Sequence, residues 1–93
     1  MRYEHKFGQA LETVFSKIAK SPSLLHAFLY DILSPIEYKE LAVRWQIVKQ
    51  LSKGVVQRDI AKNLRVSVAT VTRGSRVLMN KKGGFNVELR RKF

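Results

Sequence analysis

The segment PSLLHAFLYDI, residues 22–32, constrains the fold more than any other. Read as a helix, it places Leu24, Leu25, Phe28, Leu29 and Ile32 around most of the circumference. A helix that is apolar nearly all round must lie in an interior. A chain of 93 residues is short, and a short chain folded alone buries only a modest share of its surface. The segment therefore predicts that a second copy of the chain covers this helix, making the protein a homodimer.

The flanking sequence reads as helix on both sides. Phe7, Leu11, Val14, Phe15 and Ile18 fall at i, i+4, i+7, i+8 and i+11, which predicts a first helix from about Glu4 to Lys20. Ser21-Pro22 supplies an N-cap and a proline at the first helical position of the second. Ser34-Pro35-Ile36-Glu37 repeats that signal with a glutamate placed to complete a capping box. A long third helix should follow, about Pro35 to Lys53, with Leu41, Trp45, Val48 and Leu51 as its inner stripe, Ile47 beside it, and Gly54 as its stop.

The stretch VSVATVTRGSRVL, residues 66–78, is rich in β-branched residues, which favour strands. A hairpin would need a turn that the stretch lacks before Gly74, whereas its valines recur at helical spacing. With Ser67 as cap, and with Ile60, Ala61 and Leu64 marking a short helix before it, the pattern predicts two helices about a three-residue turn. That is a helix-turn-helix, with small Ala61 at the closest approach. Its threonines should fall on an exposed face, where short side chains can approach base edges. Lys81-Lys82-Gly83-Gly84 reads as a loop, and Phe85, Leu89 and Phe93 mark a final short helix. The expected class is all-α, with five to six helices in a single domain, 1–93. Residues 1–54 form a helical dimerisation core, 55–78 the helix-turn-helix, and 79–93 a basic loop and short C-terminal helix.

Charge divides the chain. Residues 1–43 carry five basic and five acidic side chains, whereas residues 44–93 carry thirteen basic and two acidic, so the whole net charge of +11 lies in the second half. Such asymmetry points to a neutral body joined to a part that binds a polyanion. Cysteine is absent, so there is neither a disulfide framework nor a thiolate metal site. His5 and His26 have no partners at metal-ligand spacing, and no nucleophile–base constellation is present, so neither a metal nor an enzyme activity is expected. No apolar run is long enough to span a membrane and the N-terminus does not read as a signal peptide, so a cytoplasmic protein is expected.

Three stretches together resemble the bacterial tryptophan repressor family: LSPIEYKELAVRWQIVKQL, QRDIAKNL with VATVTRGS, and VELR. The resemblance implies an intertwined, all-helical homodimer that binds palindromic double-stranded operator DNA with L-tryptophan as corepressor. It assigns Ser34, Arg44, Thr70, Arg73, Gly74 and Val77 to the tryptophan site. Arg44 and Arg73 would flank the indole ring, Ser34 would offer a hydroxyl, and Gly74 would leave room for the ring. Gln57, Arg58, Val68, Ala69 and Thr72 are the expected DNA-facing residues, with Arg76, Lys81 and Lys82 meeting the backbone. Two alternatives stand beside this reading. One is a helix-turn-helix protein that binds DNA constitutively or with another ligand, and the other is an interaction or packaging module with little sequence preference.

Three positions depart from the family pattern. Val56 stands where a hydroxyl cap is usual, Arg65 where the turn usually has glycine, and Val77 where the ligand site usually has a hydroxyl. Arg65 should be forced to positive φ. The apolar second helix generates the first prediction. Sedimentation at low micromolar concentration should give a dimer, and a stable monomer would contradict the account of residues 22–32.

Overall fold

The computed structural model describes residues 2–92 and the side chains of residues 5–91. It contains α1 (Arg2–Ile18), α2 (Pro22–Ile32), α3 (Pro35–Ser52), α4 (Gln57–Leu64), α5 (Val68–Val77) and α6 (Gly84–Lys92), with no strand among the described residues. The fold is all-α, as the sequence implies, and the β-branched run of residues 66–78 is helical through Val77. Phe93, expected in the stripe of the last helix, lies outside the described residues. The chain forms two compact units, residues 1–38 and 39–93.

In the first unit α1 packs on α2, with Phe15 and Phe28 meeting edge to face at 5.6 Å. Ser21 caps α2 by accepting from the Leu24 N–H at 3.3 Å, and Pro22 occupies the first turn, where its missing N–H is harmless. Deep burial of α2 is not met within one chain. None of its residues is buried, and Leu24 and Tyr30 are 51% and 59% exposed. The reason is geometric: a single neighbouring helix covers one side of a cylinder, and α2 is apolar on more than one. His26, Tyr30 and Tyr38 gather their rings at centroid distances of 4.6 to 6.4 Å. The capping box is reciprocal, the Glu37 N–H donating to Ser34 Oγ at 3.2 Å and the Ser34 N–H to Glu37 Oε1 at 2.8 Å. The Ser34 backbone N–H foremost, and the Ser34 hydroxyl after it, hold the Glu37 carboxyl below its ordinary value.

The second unit is organised by how its helices stop. At the end of α3 the Gly54 N–H donates to the Leu51 carbonyl and the Val55 N–H to Gln50, with Gly54 at φ +84°. This is the Schellman arrangement, which needs a left-handed residue. The end of α4 repeats it, the Arg65 N–H donating to Lys62 and the Val66 N–H to Ala61. Here the left-handed position holds Arg65, at φ 57° and ψ 45°. Val56 gives α4 no side-chain cap, as its apolar side chain dictates. Ser67 caps α5 by accepting from the Thr70 N–H at 3.1 Å.

The buried hydrophobics of this unit are Ile47, Val48, Ile60, Ala61, Val71 and Leu89; Val48 is buried as expected, and Ile47, Ile60, Ala61 and Val71 form a cluster with Val43, Leu51, Val55, Leu64 and Val66 packed around it. On α3 the stripe facing that core is Val43, Ile47 and Leu51, at i, i+4 and i+8. Ile47 is therefore central rather than beside the stripe, and Leu41, expected inside, is exposed. Trp45 serves a different neighbour and meets Phe85 of α6 with ring centroids 6.0 Å apart. The third helix thus has two apolar flanks for two partners, which one helical stripe cannot represent. Gly84, read as loop, instead opens α6.

Arg65 generates a prediction. An L-residue in left-handed conformation costs roughly 1–2 kcal/mol, part of which glycine returns as extra freedom of the unfolded chain. Arg65→Gly should raise stability in urea titrations by about 0.5–1 kcal/mol and Tm by roughly 2–8 °C. Unchanged or lower stability would mean that the Arg65 side chain stabilises the turn.

Candidate nucleic-acid interface and ligand site

The short helices α4 and α5 pack together across residues 65–67, as the sequence predicts. Ala61 of α4 and Val71 of α5 are buried in the joint core. Of the residues assigned to a DNA face, Val68, Ala69, Arg58, Arg76, Lys81 and Lys82 are exposed. Gln57 and Thr72 are half-buried and bonded to each other, Thr72 Oγ1 lying 2.7 Å from Gln57 Oε1. The same hydroxyl lies 3.0 Å from the Val68 carbonyl. The threonines are therefore not a free polar face: Thr72 ties the start of α4 to α5, and Thr70 lies 2.8 Å from the Ser67 hydroxyl. Intrahelical spacing alone does not reveal the cross-helix acceptor Gln57.

The basic loop is held from behind. Asn86 of α6 donates from Nδ2 to the carbonyls of Leu78 and Asn80, each at 2.8 Å. One turn later Arg90 donates to the Lys81 carbonyl at 3.1 Å. Asn86 and Arg90 thus position Lys81 and Lys82 by satisfying backbone oxygens left after α5 ends. Neither residue stands out in the sequence by its own chemistry. Their i, i+4 spacing on a helix following a lysine-rich loop is the signal that could have found them.

The expected ligand residues fall on or next to two helices, α3 and α5. Ser34 stands at the head of α3 with its oxygen engaged in the capping box. Arg44 is exposed on α3, and Thr70, Arg73, Gly74 and Val77 lie on α5. Gly74 is buried, and a Cβ there would lie 2.7 Å from Ile47 Cγ2. The space that glycine leaves is filled by Ile47, so α5 crosses α3 at this contact. Arg44, one turn before Ile47, and Arg73, next to Gly74, both stand at that crossing. The Arg73 guanidinium reaches Thr70 Oγ1 at 3.4 Å. Val77 presents an exposed apolar surface one turn after Gly74. Among the described residues no group of three or more His, Cys, Asp or Glu side chains could hold a metal ion.

Residues 9–93 match the family model described as Trp repressor protein. A Trp operon repressor homolog of Pasteurella multocida is 40% identical over 75 residues, covering 80% of this chain and 69% of that one. One from Actinobacillus succinogenes is 39% identical over 79 residues, covering 84% and 73%. One from Chlamydia trachomatis serovar D is 39% identical over 80 residues, covering 84% of each. No solved structure gives a significant match. These relationships define a regulatory DNA-binding protein, not an enzyme. More narrowly, the chain belongs to the Trp repressor family and is a transcriptional repressor.

The crossing of α3 and α5 yields a prediction. Alanine is favoured over glycine in a helix by about 1 kcal/mol, yet at Gly74 its Cβ meets a buried, branched side chain. Overpacking should dominate, so Gly74→Ala should destabilise by about 1–3 kcal/mol. Combining it with Ile47→Ala should cost less than the two single changes added, because the second substitution removes the clashing methyl. Additive losses in urea denaturation would show that Ile47 does not limit residue 74.

Proposed function

We propose that the chain represses transcription as a homodimer on a palindromic operator, with L-tryptophan as corepressor, in the cytoplasm. The observation that carries this reading is the Ile47–Gly74 contact, which sets Arg44 and Arg73 within a turn of one helix crossing, both exposed. Two planar guanidinium groups so placed can flank an aromatic ring, and either can pair with a carboxylate. A ligand bound there touches the core through Arg44 and the reading helix through Arg73. It favours the DNA-competent orientation of α5 to the extent that it binds that orientation more tightly. Thr70 and Val77 complete the α5 side, and relatives named as Trp operon repressor homologs support tryptophan as ligand and its genes as targets.

On DNA, α5 enters the major groove by its N-terminal end, where exposed Val68 and Ala69 meet thymine methyls. Arg58 reads guanine or holds phosphate. Gln57 and Thr72, tied together, present a stiff polar edge. Arg76, Lys81 and Lys82 hold the backbone. The apolar surfaces of α1 and α2 left open in one chain are the surfaces a second copy covers. The dimer then sets two reading helices about one DNA turn apart. No described helix is long and apolar enough to cross a membrane.

A second reading, DNA binding without ligand or with a different one, is favoured by a specific observation: Ile47 already fills the space at Gly74. Calorimetry distinguishes the two. In the gated reading L-tryptophan gives a binding isotherm, tightened by operator DNA, and Arg73→Ala weakens it by about thirtyfold, the loss of one stacked cation worth about 2 kcal/mol. Ligand-free DNA binding by that variant falls only by the share of one charge. Absence of heat with L-tryptophan, and equal loss of DNA affinity with and without it, would select the second reading.

A further inference from the structure

The exposed side of α4 is divided by charge. Arg58 and Lys62 are four residues apart on the helix, and Arg65 follows three residues on, in the turn. All three are exposed, in a row spanning roughly 10 Å along the axis. Ile60, Ala61 and Leu64 face the core. Asp59 and Asn63 occupy the other flank, and there Asn63 Nδ2 donates to Gln50 Oε1 of α3 at 3.4 Å. Since that flank meets α3, the basic row turns away from it into solvent. The side chains of Lys62 and Arg65 have no hydrogen-bond or ion-pair partner among the described residues.

The row ends on the least favourable backbone in the described chain. Arg65 is the one described non-glycine residue at positive φ. The matching turn after α3 uses Gly54 for the same Schellman geometry, so glycine meets the requirement elsewhere in this protein. Arginine here occupies a left-handed backbone position with an exposed side chain that makes no hydrogen bond or ion pair among the described residues. An observed backbone outlier with no structural return points to a function for the side chain.

We propose that Arg58, Lys62 and Arg65 form a phosphate track along α4, which grips the DNA backbone beside the reading helix and independently of base sequence. The partner is the sugar-phosphate strand of duplex DNA, because a linear row of three exposed cations complements a linear polyanion. Arg65 and Ser67 are two residues apart, so the track leads directly to the exposed start of α5. Lys62 and Arg65 are thereby assigned a positioning role: they fix the approach of α5 and carry no sequence information. The proposal rests on the DNA-binding reading above, takes the phosphate role for its Arg58, and adds Lys62 and Arg65, which that reading does not contain.

The test uses the full chain and a random-sequence duplex, titrated with potassium chloride from roughly 50 to 200 mM. The variant pair Lys62→Ala with Arg65→Gly should flatten the slope of log affinity against log salt by about 0.9 for each phosphate no longer neutralised, thus about 1.8 per subunit. Lys62→Arg with Arg65→Lys should keep the wild-type slope. Lys17→Ala with Lys20→Ala, matched in charge but on the first unit, should also keep it. Arg65→Gly alone should bind DNA more weakly while melting at a higher temperature, so a folding defect cannot mimic the result. If wild-type protein binds DNA and the Lys62/Arg65 pair matches it, or the Lys17/Lys20 pair falls equally, the track is overturned and the DNA-binding reading stands. If wild-type protein binds no DNA, both fail.

Discussion

The contact between Ile47 Cγ2 and the bare backbone at Gly74 governs the second unit. Interiors are packed to crystal density, so two helices approach this closely only where one of them lacks a side chain. Once α5 rests on α3 at that point, Val71 falls into the core with Ile60 and Ala61. Thr72 then comes within reach of Gln57, and the start of α5 is left exposed. The approach of α5 to α3 at this point is thus limited by one methyl group against one glycine. Arg44 stands three residues before Ile47 on α3, and Arg73 stands beside Gly74 on α5.

Stability and charge are distributed unequally between the units. The first is neutral and exposes apolar surface on α1 and α2. The second carries the whole net positive charge on helices whose buried hydrophobics are Ile47, Val48, Ile60, Ala61, Val71 and Leu89. Neither unit resembles a self-sufficient small domain with a large interior. The uncapped start of α4 and the left-handed arginine at its end both weaken the α4–α5 pair.

Anchoring of the basic loop follows a different principle. The carbonyls left unpaired as α5 ends are taken by Asn86 and Arg90 from α6, and Phe85 of the same helix leans on Trp45. A short last helix therefore does two things at once: it closes the apolar flank of α3 and fixes the backbone that presents Lys81 and Lys82. These side chains bond backbone oxygens six to nine residues away, so the i, i+4 spacing of Asn86 and Arg90 hints at the pair while the carbonyls they take are visible only when the chain is folded.

Local chemistry in the sequence determined the helices and their ends. Ser21, Ser34 with Glu37, Gly54 and Ser67 each act within a few residues of themselves, and Arg65 is left-handed because the turn between two short helices demands it. The concentration of charge after residue 43 and the apolar wrap of α2 were equally legible, being properties of composition and short-range spacing. The tertiary structure alone decided which flank of α3 faces the core, that Ile47 and not Leu41 is central, and that Gly74 is required by a neighbour's methyl. It also turned Thr72 from a free polar group into half of a cross-helix bond with Gln57. These are contacts between residues 15 to 27 positions apart. Hydrophobic periodicity names the residues that want partners, but only the close packing of helices against one another chooses the partners.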